Sequence, residues 1–168
     1  MPQAAMNEKS FYDYEFEQLE SHDDTHIPNL VFVIMPLTGN STLENYEAIK
    51  EACKECGLIA IRADESVGSG FVIKQIAFLI KKAEFIICDL TYERPNVYYE
   101  LGYAHGIGNN GLNILLLAKS KTVLHFDIAP LRVQYYEDIG ELRKIVSSNL
   151  LGMAKVTRRH LTEAKAEE

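Results

Sequence analysis

Short unbroken apolar runs alternate along this chain with longer stretches in which apolar positions recur every three or four residues. The runs Leu30-Val31-Phe32-Val33-Ile34-Met35, Leu58-Ile59-Ala60-Ile61, Phe85-Ile86-Ile87-Cys88 and Ile114-Leu115-Leu116-Leu117 have no polar face, as strands covered on both sides require. A short fifth strand is expected near Val133 to Tyr135. Pro36 closes the first run, and Ser41-x-x-Glu44 reads as a capping box opening a helix with the stripe Tyr46, Ile49, Cys53, Cys56. A second helix follows Gly68-Ser69-Gly70, with Ile73, Ile76, Ala77, Ile80 and Ala83 on one face. A third opens at Pro95-Asn96, where proline's missing N–H costs nothing, and turns Val97, Leu101, Ala104 and Gly108 inward. The last helix is read over Ile139 to Leu151. Strands alternating with helices in this order predict an α/β fold: an open, doubly wound (flavodoxin-like) parallel sheet of about five strands with helices on both faces.

The same pattern sets the boundaries. Residues 29–152 form one domain, residues 1–28 an acidic arm or linker, and residues 153–168 a charged tail expected to be mobile. The arm contains Phe11-Tyr12-Asp13-Tyr14-Glu15-Phe16, suited to docking on the body or on another subunit, or equally to fraying. A length of 168 residues leaves no room for a second full domain.

Charge narrows the ligand class. Seventeen Lys+Arg against 24 Asp+Glu give a net of -7, which argues against neutralising the phosphates of a duplex but leaves free nucleotides open. No run suits a membrane span and no basic segment precedes an apolar core, so a cytoplasmic protein with no membrane association is expected. Cys53, Cys56 and Cys88 are too few and too odd in number for a disulfide framework. The C-x-x-C pair falls near a helix end rather than at the N-terminus that activates redox thiols, so packing is its expected role. No cofactor and no metal site are expected, since no second cluster of Cys or His accompanies the pair.

In such sheets ligands bind outside the carboxyl ends of the strands, where the strand order reverses. The residues there are Met35-Pro36-Leu37-Thr38, Arg62-Ala63-Asp64 and Asp89-Leu90-Thr91. Asp64 and Asp89 each follow a buried strand directly, a position that serves loop structure as often as ligand contact. Gly68, Ser69 and Gly70 precede a helix, where backbone N–H groups are able to approach a phosphate, and a plain flexible loop is an equal reading of the same residues. Glu100 lies about 60° from Val97 and about 40° from Ala104, on the shoulder of a buried stripe in the first turns of its helix. Burial raises the pKa of such a carboxylate while the helix dipole lowers it, and position alone favours a structural role in which Glu100 satisfies early backbone N–H groups or pairs with a neighbour such as Arg62. His105 is about 140° round from Glu100, which argues against a direct acid/base pair. His125 and Arg132 stand in loops from which either reaches ligand.

The ordered set Val31-Phe32-Val33-Ile34-Met35-Pro36, Arg62-Ala63-Asp64, and Asp89-Leu90-Thr91 through Pro95-Asn96-Val97-Tyr98-Tyr99-Glu100-Leu101-Gly102-Tyr103-Ala104-His105 resembles the nucleoside 2-deoxyribosyltransferase-like and TIR-like nucleotide-binding proteins. Phe126-Asp127-Ile128 and Leu131-Arg132-Val133 extend the likeness. The loop Met35-Pro36-Leu37-Thr38 departs from the Gly-Pro form or tyrosine of many transferases. The resemblance implies that Glu100 acts at the anomeric carbon of a nucleoside or nucleotide, as nucleophile in cleavage or transfer at the N-glycosidic bond. Asp89 or Asp64 then protonates or orients the leaving base, and Met35, Pro36, Asp64, Gly68, Ser69, Gly70, Thr91 and Asn96 contact substrate. It also implies a small-molecule nucleoside or nucleotide partner and a homo-oligomer whose site a neighbouring subunit completes. Alternatives are a TIR-like NAD glycohydrolase, a non-catalytic nucleotide-sensing module, and a scaffold without a small-molecule ligand.

Overall fold

A computed structural model describes residues 25–65 and 72–166; the aromatic arm segment and Gly68, Ser69 and Gly70 lie outside the described residues. Five strands, β1 (Ile27–Ile34), β2 (Ile59–Arg62), β3 (Ala83–Asp89), β4 (Ile114–Lys119) and β5 (Val133–Tyr136), form one sheet in the order β2-β1-β3-β4-β5. Every pairing is parallel, so the expected open, flavodoxin-like sheet is present, with its reversal of strand order between β1 and β3. Helices α1 (Thr42–Glu55) and α4 (Ile139–Ala166) cover one face; α2 (Val72–Lys82) and α3 (Pro95–Gly106) cover the other. The β4-to-β5 crossover is made without a helix by residues 120–132.

Strand alternation divides the core in two. Val31, Val33, Phe85, Ile87, Leu115 and Leu117 pack under α1 and α4 with Tyr46, Ile49, Cys53, Leu142, Val146 and Leu150. Leu30, Phe32, Ile34, Ile86, Cys88 and Leu116 pack under α2 and α3 with Leu79, Ile80, Val97, Leu101 and Ala104. This two-sided burial is why the strands read as continuous apolar runs.

Four local expectations are corrected. Ser41 precedes α1 but adopts φ 64° and makes no side-chain capping bond; the Thr42 hydroxyl instead donates to the Gly39 carbonyl at 2.9 Å. On α2 the expected Ile76 and Ile80 do pack inward, joined by Gln75 and Leu79, whereas Ile73 is 73% exposed and Ala83 already belongs to β3. Gly108 does not continue the inward stripe: it lies beyond α3 at φ 105°, where a left-handed conformation favours glycine, and a Cβ there would meet nothing within 4 Å. The final helix does not stop near Leu151 but continues through the charged segment to Ala166. Ala154 is buried in the α1-side core and Met153 packs against it, which gives that extension an apolar anchor.

Candidate functional site

The carboxyl ends of β1 and β3 meet the first turns of α3, and the helix start is set by the chain around it. Asp89 ends β3, residues 90–94 form the connection, and Pro95 opens the helix after Arg94 in extended conformation, without a side-chain cap. Glu93 holds φ 46°, a left-handed conformation that costs energy for a residue with a Cβ and persists only where neighbouring contacts enforce it. The loop is tied down by Leu90 N–H donating to Leu117 O at 2.8 Å, by the Tyr98 hydroxyl donating to Glu93 at 3.1 Å, and by the Tyr92 hydroxyl donating to the Asn40 carbonyl of the β1–α1 loop.

Glu100 projects from the second turn of α3, half-buried on the flank of the stripe Val97, Leu101, Ala104. Burial pushes its carboxyl from 4.5 up to about 7, and a hydrogen bond from the Asn96 side chain, one turn earlier, opposes that shift. Desolvation therefore outweighs the amide hydrogen bond. The group is poised between its neutral and ionised forms at physiological pH, as groups that trade charge in a reaction are. It sits close enough to the fully buried Cys88 to raise that thiol's pKa together with burial and Asp89. Arg62 is not its partner.

Arg62 instead places Nε and Nη2 on the two oxygens of Asp64, each at 2.6 Å. Its guanidinium carbon lies 4.3 Å from the Tyr46 ring centroid, and Nη1 lies 4.0 Å from the Met35 sulfur. Arg62 is buried while the Asp64 side chain is 40% exposed, so the pair presents one carboxylate at the rim. Met35 and Pro36 are both buried at the end of β1. The Met35 side chain belongs to the α1-side core.

The structure does not bring Asp89 to Glu100. Ile87 packs under α1 and Cys88 under α3, so Asp89, next in the alternation, turns back toward α1. It is 1% exposed and accepts from the Thr91 N–H at 3.0 Å, the Thr91 hydroxyl at 2.5 Å and the Tyr136 hydroxyl at 3.0 Å. Burial raises its pKa, with these hydrogen bonds opposing. The Thr91 hydroxyl also accepts from the Lys119 N–H at 2.9 Å, so its one proton is directed to Asp89 rather than to the crevice. Asn45 of α1 donates to the Tyr136 hydroxyl at 2.9 Å.

Among the sequence candidates, Glu100 and Asn96 stand together on α3 and Asp64 stands at the adjacent rim. Thr91 and Asp89 belong to the network behind the strand ends. His105, His125 and Arg132 are exposed, and His125 lies 3.4 Å from Asp127. The sequence reading missed Tyr136 and Asn45, which reach Asp89 from 47 residues later and 44 residues earlier in the chain. No periodicity or motif signals such a contact. Among the described residues no cluster of His, Cys, Asp and Glu is arranged to hold a metal ion, and no helix is long and apolar enough to cross a membrane. Surface depressions of about 630 Å³ beside α1 and about 650 Å³ at the opposite, amino end of the sheet are lined by neither Glu100 nor Asp64.

No protein-family model matches the chain, and no curated protein matches it. Among solved structures it is similar in fold to the CMP N-glycosidase BcmB of Clostridium botulinum. The identity is 17% and the TM-score 0.55, over 68% of this chain and 94% of that one.

Proposed function

We propose that this protein cleaves or transfers at the N-glycosidic bond of a nucleoside or nucleotide, with Glu100 as the nucleophile. The observation that carries the reading is Glu100 itself: a half-buried carboxylate on the crevice flank of α3, brought to about 7 by burial and steadied by Asn96. Two things support it. The chain resembles the deoxyribosyltransferase-like proteins in the Pro95 to His105 block, and it shares a fold with a solved structure described as a CMP N-glycosidase.

Breaking the glycosidic bond builds oxocarbenium character on the sugar, and a carboxylate fixed below the anomeric carbon captures or stabilises that charge. The Glu100 oxygen bonds to C1′ as the C1′–N bond breaks, and the electron pair leaves with the base, which takes up a proton from solvent water. Water or an acceptor base then attacks the glycosyl ester and frees Glu100. Asp64 presents its carboxylate at the rim as an acceptor for a ligand N–H or hydroxyl, braced by Arg62. Asp89 and Thr91 act behind the site, on the loop that delivers α3.

The test is to incubate the native protein and Glu100→Gln with nucleosides, nucleoside monophosphates and NAD, and to follow free base by chromatography. Base release that the variant lacks is the expected result, and full turnover by Glu100→Gln would overturn the mechanism. Nicotinamide release instead would assign the NAD-glycohydrolase alternative. A nucleotide bound and recovered unchanged would assign the sensing module.

A further inference from the structure

Tyr136 lies at the end of β5, two strands away from β3, yet its hydroxyl is the node of the hydrogen bonds behind the crevice. It donates to Asp89 Oδ2 at 3.0 Å, accepts from Asn45 Nδ2 at 2.9 Å and lies 3.0 Å from the Thr91 hydroxyl oxygen. Asp89 Oδ1 in turn takes both the N–H and the O–H of Thr91, and Thr91 takes the Lys119 N–H. Chain from β3, β4, β5 and α1 is thus locked onto one residue, Thr91, the second position of the connection that leads into α3.

That connection has particular need of a lock. The start of α3 has no side-chain cap to fix its direction, and Glu93 must be held in a left-handed conformation. Fixing Thr91, together with the core packing of Val97 and Leu101, sets where the first two turns of α3 lie, and those turns carry Asn96 and Glu100. We infer that Tyr136 is a positioning residue for Glu100, acting through Asp89 and Thr91 without touching substrate. The inference rests on the function proposed above, but its main readout does not.

The experiment labels glutamate carboxyls with ¹³C and follows the Glu100 titration by NMR in the native protein and in Tyr136→Phe. Glu100→Gln identifies the resonance. In the native protein the midpoint is expected at about 7. In Tyr136→Phe the loosened helix start admits water, and the midpoint is expected to fall by about one unit toward 4.5. Base release is expected to drop about 10-fold or more with KM within about 3-fold, since misplacement affects the reacting geometry more than binding. Thr91→Val, which removes the relay hydroxyl, is expected to behave like Tyr136→Phe, and Thr91→Ser, which keeps it, like the native protein. Tyr135→Phe, at the exposed neighbour, serves as the control. An unmoved Glu100 midpoint in folded Tyr136→Phe and Thr91→Val overturns the inference, even if turnover falls. If the native protein releases no base from any compound, the function reading fails while the titration still decides the role of Tyr136.

Discussion

At the scale of single residues, burial of charge decides both what the site can do and what it costs. Glu100 has a folded-state pKa of about 7 against 4.5 when free. A raised acid is fully tolerated below 4.5, where it is neutral in both states, and its stability is lost as pH rises through 7 and a half-buried carboxylate must be kept charged. Glu100→Gln is therefore expected to unfold at the native denaturant midpoint near pH 4 and to be more stable than the native protein by about 1–3 kcal/mol at pH 8. Equal midpoints at pH 8 would show that the carboxylate is solvated. In the proposed role of nucleophile the group must be ionised, so base release is expected to rise with pH through about 7 and then level. Asp89 behaves in the opposite sense on mutation. Asp89→Ala strands the Thr91 and Tyr136 donors in a dry environment and is expected to cost about 2–4 kcal/mol in chemical denaturation.

At the scale of elements, helix ends in this protein are decided by backbone conformation and packing more than by side-chain caps. Ser41 sits at φ 64° and bonds nothing through its hydroxyl, so Ser41→Ala should change stability by less than about 0.5 kcal/mol. Ser41→Gly should gain a few tenths to about 1 kcal/mol, because glycine carries no Cβ penalty there. A loss near 1 kcal/mol from the alanine variant would restore the capping reading. Helix α4 illustrates the packing side. Met153 and Ala154 continue its contact with the α1-side core, and Arg143 pairs with Glu51 and Glu55 of α1 at 2.7 Å each. Ending the chain after Leu151 removes the first of these anchors and is expected to lower stability by about 1–3 kcal/mol, read by urea denaturation. The exposed ion pairs contribute little beside that burial.

At the scale of the whole molecule, one sheet separates two cores and transmits the loss of either to both. Ile86 and Ile87 are adjacent in β3, fully buried, and face opposite sides. Ile86→Ala and Ile87→Ala should each cost about 2–5 kcal/mol with an unchanged urea m-value, because both cores are built on the same strands. A second transition in either variant would show that one face unfolds by itself. The same division places the two acids that sequence proximity puts together on different sides. Glu100 stands half-buried on the flank of α3, and Asp89 faces the hydrogen-bond network under α1.

The sheet, its helices and the prominence of Glu100 were written in local pattern: apolar runs bounded by Pro36 and Gly57, the 3.6-residue stripe of α3, and a block around Glu100 that resembles a known family. These are legible because they depend on neighbours within a few positions of one another. What remained hidden depends on contacts between distant residues. The sign of the Glu100 shift rests on how far the folded chain buries its carboxyl, the partner of Arg62 rests on the geometry that gives it Asp64, and the service of Asp89 rests on Tyr136 and Asn45. The straight run of α4 past Leu151 was likewise settled by the core surface on which Met153 and Ala154 land. Periodicity places a side chain on a face; only the tertiary arrangement supplies the dielectric, the partner and the direction that turn a carboxylate into either a brace or a reacting group.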